Sequence, residues 1–143
     1  MFLTVGYEGI TAEELIALLR DARVDVLADV RLNPLSRKRG LSKRGLAAAL
    51  ADAGIEYVHL PALGNPKDNR DAFRRGDPAA WARYRAQFET PPADDALDEL
   101  TELARERRVA LLCYEHDHAS CHRSAVADEL LRRDPSLGPI TAL

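Results

Sequence analysis

The sequence VALLCYEHDHASCHRSAVADELL, residues 109–131, contains the signals of a strand, a polar loop and a helix in succession. Its first four residues are all apolar, which is typical of a strand that is buried on both faces of a parallel sheet. Its last eight residues place apolar side chains at helical spacing. A buried strand that leads into a helix is the repeating unit of α/β proteins, so this stretch decides the predicted fold class.

The same alternation extends over the rest of the chain. Strands are predicted at residues 2–5, 24–30, 55–60 and 109–113, with a short last strand in the tail 138–143. Helices are predicted from Thr11, where Glu14 completes a capping box, and over 42–53, 77–88, 93–107 and 124–133. Residues 61–77 are rich in Gly, Pro, Asn and Asp and are expected to be mostly loop. The alternation predicts an α/β three-layer sandwich with a mostly parallel central sheet of about four to five strands.

The composition predicts one soluble, cytoplasmic domain over residues 1–143. The length is that of one ordinary domain, and a hydrophobic content of 46% is enough for a real core. No apolar run is long enough to span a membrane, and the first residues lack the basic start and long apolar region of a signal peptide. In such a protein the two cysteines are expected to be thiols or metal ligands rather than a disulfide.

The charge is distributed unevenly. A net charge of -3 excludes a global basic field that would attract nucleic acid. The loop 37–44, however, contains five basic residues and no acidic one: Arg37, Lys38, Arg39, Lys43 and Arg44. An isolated run of charge is usually a solvated surface. If the loop borders the site, it would instead attract phosphate, which makes a nucleotide or a nucleic acid a candidate partner.

Polar residues follow each predicted strand. They are Tyr7 and Glu8 after the first strand, Asp29 and Arg31 at the second, His59 at the third, and Cys113, Glu115, Cys121, His122 and Arg123 at the fourth. The carboxyl ends of parallel strands meet at one edge of the sheet, where ligands bind. Each residue alone has a structural explanation, such as an ion pair between Glu115 and Arg123. Their convergence favours a functional pocket.

Two chemistries fit this cluster, and the first is thiol chemistry. Cys113 would be a thiolate nucleophile or a sulfur carrier, and the first amides of the next helix, together with Arg123 and Arg31, would stabilise its anion. His122 or Glu115 would move protons, with Asp29 on the opposite side of the pocket.

The second chemistry is zinc binding by Cys113, Cys121 and His122, joined by Glu115 or His118. The residue types are right, but seven residues between the cysteines is not a common zinc spacing. Adjacent Cys121 and His122 would also point in different directions if both were helical. The sequence therefore favours the thiol pocket without a cofactor, with zinc as the alternative.

Five motifs carry a family resemblance. They are TVGYEG at 4–9, DVR at 29–31, Pro34 with Ser36 and Arg37, YVHLPALG at 57–64, and CYEHDHASCHR at 113–123. With them the chain resembles the bacterial and archaeal domain of unknown function family 488 (DUF488). The hallmark of that family is a strand ending in Cys-x-Glu, then a short loop and Cys-His-Arg. The resemblance implies an α/β sandwich and a polar pocket built from these motifs, but it implies no reaction.

A fainter likeness links the chain to rhodanese-type sulfurtransferases and the related cysteine phosphatases. DVR after an apolar strand and a strand–Cys–loop–Arg–Ser–helix order are similar. Here Cys113 and Arg123 are ten residues apart and the loop has no glycine, so the six-residue phosphate cradle of those enzymes cannot form. This likeness implies a Rossmann- or rhodanese-like fold and the position of the site rather than its chemistry.

The predicted function is that of an enzyme, a cysteine-dependent transferase or hydrolase, or of an anion-binding protein. The predicted catalytic residues are Cys113, Glu115, His122 and Asp29, and the predicted substrate-binding residues are Arg123, Arg31, Tyr7, His59, Arg37 and Lys38. The substrate would carry phosphate or another anionic group. The alternative is a non-catalytic, zinc-stabilised module that binds a partner or nucleic acid through loop 37–44 and the aromatic helix near Trp81, whose side chains otherwise pack in the core or cover the site.

Overall fold

A computed structural model describes residues 2–143, and its centre is a sheet of five strands. The strands are β1 Phe2–Gly6, β2 Val26–Asp29, β3 Glu56–His59, β4 Val109–Cys113 and β5 Ile140–Ala142. Their order is β3-β2-β4-β1-β5, and every pair is parallel. The predicted α/β fold class is confirmed. β4 lies in the middle of the sheet and is buried along its whole length, as its apolar sequence predicts.

Within residues 2–143, six α-helices cover the sheet. They are α1 Ala12–Asp21, α2 Lys43–Asp52, α3 Lys67–Arg74, α4 Pro78–Ala86, α5 Pro91–Glu106 and α6 His122–Arg133. One hydrophobic cluster joins α1 and α2 to strand residues such as Leu3 and Leu112, and a second joins α3–α6 to Phe2 and Leu111. Successive strand residues thus face opposite layers. Among residues 2–143, none of the helices has the length and apolar character that a membrane-spanning segment needs.

Of the predictions made from local sequence, some are confirmed and others are not. The capping box of Thr11 and Glu14 forms as predicted. Ser42 stands at the start of α2, but its hydroxyl bonds Ser36 instead of capping the helix. The prediction of mostly loop for residues 61–77 is wrong, because α3 lies within them. Only Asn69 and Phe73 of α3 are buried, so the segment lacks the apolar periodicity by which a helix is recognised.

Two motif glycines allow close contacts at the carboxyl edge of the sheet. The backbone after β1 runs beside the loop after β4, with the amide of Glu8 donating to the carbonyl of Tyr114 at 2.9 Å. A Cβ on Gly6 would lie 1.8 Å from the carbonyl oxygen of Glu115. A Cβ on Gly64 would likewise lie 2.5 Å from the Cα of Leu32. These positions therefore fix the loops that surround the pocket described below.

We expect Gly6→Ala to lower the free energy of unfolding by about 1–3 kcal/mol, because the backbone at Glu115 must move to admit a methyl group. Gly45→Ala is the matched control, since its Cβ would make only an ordinary contact at 3.7 Å. In a helix interior this control should raise stability by about 0.5–1 kcal/mol. Urea unfolding of both variants measures the difference, and equal stabilities would contradict the proposed close contact.

Candidate functional site

A pocket of about 200 Å³ opens at the carboxyl edge of the sheet. Of the residues predicted for the site, Tyr7, Arg31, Cys113, Glu115 and His122 line it. They lie at or beyond the carboxyl ends of β1, β2 and β4, which are adjacent in the sheet. The segment from β3 through α3 adds Asn65, Arg70, Phe73 and Arg74.

Cys113 and Cys121 form a disulfide, and both are buried. The expectation of free thiols or metal ligands is therefore not met in this structure. The reason lies in the loop 114–120, which turns back so that the end of β4 meets the start of α6. The seven intervening residues separate the cysteines in sequence but not in space.

His122 is oriented by the backbone of β2. Its Nε2 lies 2.9 Å from the carbonyl oxygen of Val30. A carbonyl only accepts hydrogen bonds, so Nε2 carries the hydrogen and Nδ1 keeps its lone pair. That Nδ1 lies 3.7 Å from the sulfur of Cys121. Burial lowers the pKa of His122, which favours this neutral ring.

The backbone conformation of Cys121 explains why its sulfur lies close to the ring of His122. It precedes α6 with extended backbone angles, φ -100° and ψ 146°, so it is not part of the helix. The expectation that Cys121 and His122 would diverge applied only if both were helical, and this condition is not met.

Glu115 completes the cluster. Its Oε2 lies 3.5 Å from the sulfur of Cys113, and its Oε1 accepts a hydrogen bond from Nε of Arg74 at 3.1 Å. Cys113, Glu115, Cys121 and His122 each offer one ligand atom, and these four atoms lie within 4.8 Å of one another. Such a group has the donors and the size of a metal site.

Arg123 is fully buried beside the sulfur of Cys113. Its Nη1 donates to that sulfur at 3.0 Å and also to the carbonyl of Glu115, and its Nη2 donates to the carbonyl of His116 at 3.0 Å. Its Nε is buried without a hydrogen-bond partner among residues 2–143. Burial lowers the pKa of Arg123 to about 10. Arg123 therefore contacts the backbone of Glu115, and among residues 2–143 it forms no ion pair with the Glu115 carboxylate, the structural explanation considered for these two residues.

Asp29 and Arg31 form a buried ion pair. Arg31 donates from Nε and Nη2 to the carboxylate at 2.9 and 2.7 Å, and from Nη1 to the carbonyl of Leu41 at 2.6 Å. Tyr57 donates its hydroxyl to the same carboxylate. Burial alone would lower the pKa of Arg31, but the bonds to Asp29 raise it above its ordinary value. Asp29 is not part of the pocket lining, and the charge of Arg31 is already compensated.

The other predicted binding residues mostly hold loops in place. Tyr7 accepts a long hydrogen bond from Arg31 at 3.4 Å, and Nε2 of His59 lies 2.9 Å from the carbonyl of Arg31. Lys38 donates to backbone carbonyls after β1, and Arg37 is exposed. No residue of loop 37–44 lines the pocket, although Leu41 and Lys38 contact the lining residues Arg31 and Tyr7.

Within residues 61–77, three polar pocket residues escaped the sequence analysis: Asn65, Arg70 and Arg74. They lie in the segment that was expected to be mostly loop. The sequence feature that could have indicated Arg70 and Arg74 is their spacing of four residues, because it places both on one face of a helix. Trp81, by contrast, stacks on Phe73 at 3.9 Å and packs against the core rather than forming a free surface.

Comparison with known proteins agrees with the motifs. The model of the family described as "Domain of unknown function DUF488" matches residues 11–130. The chain belongs to this family. No curated protein and no solved structure matches the DUF488 chain. The fainter likeness to rhodaneses finds no support in these comparisons and stays a prediction.

The contacts of Asp29 predict a structural role. We expect Asp29→Asn to lower the free energy of unfolding by about 3–5 kcal/mol, because it leaves the buried guanidinium of Arg31 without its counter-ion. Asp68→Asn removes the partner of Arg83 in an exposed pair and should cost less than about 1 kcal/mol. Chemical denaturation compares the two, and a small effect at Asp29 would return this residue to the catalytic candidates.

Proposed function

We propose that this DUF488 chain is a metal-dependent hydrolase that acts on a small anionic substrate. Its reduced form would hold a zinc-type divalent ion through Cys113, Cys121 and His122, with Glu115 as the general base. The observation that carries the proposal is the set of four ligand atoms within 4.8 Å of one another beside an open pocket.

The donor set fits a catalytic ion. Catalytic zinc sites use three protein ligands and keep the fourth position for water or substrate, and two cysteines with one histidine are a known set. Metal-binding histidines commonly donate their other ring N–H to a carbonyl, which fixes the ring. His122 makes this contact with Val30.

The charges of the centre favour a divalent ion. Two thiolates and the Glu115 carboxylate carry three negative charges in a largely buried space, and Arg123 offsets one of them. A divalent cation offsets the other two. Because buried charge without compensation is costly, the metal-loaded centre is the balanced one. Arg74, which also contacts Glu115, is half exposed, so its charge is screened by solvent.

Loading requires reduction of the disulfide by a dithiol. Two electrons from the dithiol break the Cys113–Cys121 bond and leave two thiolates, while the dithiol becomes a disulfide and releases two protons. The contact of Arg123 with the Cys113 sulfur supports this step, because a neighbouring cation favours the thiolate.

The catalytic step would use the fourth position, on the side of the pocket. A bound ion lowers the pKa of its water towards neutrality. Glu115 would accept the proton, the water oxygen would form a bond to the electrophilic centre of the substrate, and the leaving group would depart with that proton. A glutamate two residues after a metal ligand has this role in zinc deaminases, where it is not itself a ligand.

The alternative is that Cys113 is the nucleophile, and its contact with Arg123 is the observation in favour. The two functions need the same reduced state but opposite roles for the ion. A metal would be required in the first and would block the thiolate in the second.

We expect reduced protein, purified without an affinity tag or added metal, to contain about one equivalent of zinc-type ion. Cys121→Ser and His122→Ala should lose most of it. His116→Gln is the control, because His116 is exposed and outside the four-residue group. Elemental analysis gives the stoichiometry. Folded, reduced protein that neither contains zinc nor takes it up on addition would overturn the metal centre.

Turnover of p-nitrophenyl phosphate, a small aryl phosphate, tests the chemistry. Chelation should abolish hydrolysis and added zinc should restore it. Glu115→Gln should keep the metal but lower kcat by roughly 10²–10⁴-fold, the usual contribution of a general base. Hydrolysis that survives chelation but is lost in Cys113→Ser would instead establish the thiolate nucleophile.

A further inference from the structure

The pocket contains an amide donor that no protein group uses. Asn65 lines the pocket and is only 4% exposed. The amide nitrogen of Asn69 donates to the carbonyl of Ala80 at 3.0 Å, which identifies it as nitrogen, and it also donates to Asn65 Oδ1 at 3.0 Å. The other end of the Asn65 amide is therefore its NH₂ group. This group has no hydrogen-bond partner among the residues that the structure describes.

Arg70 adds a cation beside this amide. Its Nε donates to the backbone carbonyl of Asn65 at 3.1 Å, which holds its guanidinium near the same residue. Within residues 2–143 its two terminal nitrogens have neither a hydrogen bond nor an ion pair. Arg31 is the buried arginine of the pocket lining, whereas Arg70 is only partly buried, and Arg31 is already bonded to Asp29 and Leu41. Asn65 and Arg70 are thus neighbouring donors available to an anion, and such a pair suits phosphate oxygens.

The rim of the same pocket is apolar. Leu18, Leu35 and Tyr114 are the large hydrophobic residues that are exposed in the described part of the chain. Two of the three, Leu35 and Tyr114, line this pocket. The ring of Tyr114 is fixed edge-to-face by Tyr7, with centroids 5.4 Å apart, and it remains 42% exposed. A fixed, accessible aromatic ring at the mouth of a polar pocket is suited to stack on a flat group of a ligand.

We propose that the pocket binds a nucleoside monophosphate, with its phosphate on Asn65 and Arg70 and its base between Tyr114 and Leu35. A polymer is disfavoured, because no residue of the basic loop 37–44 is part of the lining. The inference rests on the proposed function only in treating this ligand as the substrate. The binding subsite lies on α3 and the rim, apart from the proposed metal ligands.

Titration calorimetry on the reduced, zinc-supplemented chain tests this subsite with AMP and CMP, the corresponding nucleosides, and inorganic phosphate as probes. We expect at least one monophosphate to bind about 10-fold or more tightly than both its nucleoside and inorganic phosphate, since base–aromatic stacking and phosphate contacts both contribute. Affinities for all probes that are equal, or too weak to measure, would overturn the proposal.

Three variants identify the subsite. Tyr114→Ala should weaken nucleotide binding about 10-fold and leave phosphate binding unchanged, whereas Arg70→Gln should weaken both. Arg75→Gln is the matched control, because Arg75 is an exposed arginine at the end of α3 and outside the pocket lining. Circular dichroism checks that each variant is folded. Nucleotide affinity that is unchanged in Tyr114→Ala and Arg70→Gln would place the ligand elsewhere and overturn the proposal.

The same titrations separate this inference from the proposed function. Nucleotide binding that persists in a chain shown to bind no zinc would leave the subsite standing and remove the metal-dependent hydrolase. A zinc-loaded, hydrolytically active chain that binds no nucleotide would leave the metal-dependent hydrolase standing and overturn the nucleotide subsite. Tighter binding of a single-stranded oligonucleotide than of AMP or CMP, with a steep loss of affinity in salt, would replace the mononucleotide by a polymer.

Discussion

The buried guanidinium of Arg123 is the contact on which the arrangement of the site depends. It stands at the second residue of α6 and donates back to the sulfur of Cys113 and to the carbonyls of Glu115 and His116. The loop after β4 is therefore wrapped around a cation. Because a buried cation needs negative potential around it, the same contact that shapes the loop also favours negative charge at the sulfur.

Because β4 lies in the middle of the sheet, its two neighbouring strands provide further contacts that position the site. β1 on one side brings Gly6, whose missing side chain lets the backbone pass the carbonyl of Glu115. β2 on the other side brings the carbonyl of Val30, which orients the ring of His122. A strand at the edge of the sheet would have only one neighbour. Cys113, Glu115 and His122 thus depend on both neighbours of β4, although they lie within eleven residues of sequence.

The sequence predicted those features that local pattern controls: the buried strands, the capping box of α1 and the meeting of strand ends at one edge. α3 was missed because it buries only two side chains, Asn69 and Phe73, and Phe73 packs against the next helix through Trp81. The sulfur of Cys121 lies near the ring of His122 because Cys121 has an extended backbone and α6 begins only at the next residue. Neither composition nor spacing shows such a backbone angle.

Arg31 and Arg70 show that the hydrogen-bond partners of an arginine decide whether it is available to bind a ligand. Arg31 follows a strand in a conspicuous motif, yet a carboxylate and a carbonyl saturate it, so it stabilises the pocket wall. Arg70 lies in the segment that was expected to be mostly loop, yet its terminal nitrogens have no hydrogen-bond acceptor among residues 2–143. Arg74, one turn further along α3, holds the carboxylate of Glu115. Helical geometry therefore keeps the proposed anion subsite and the proposed base at a fixed separation, which is what a hydrolytic site requires of its substrate and base.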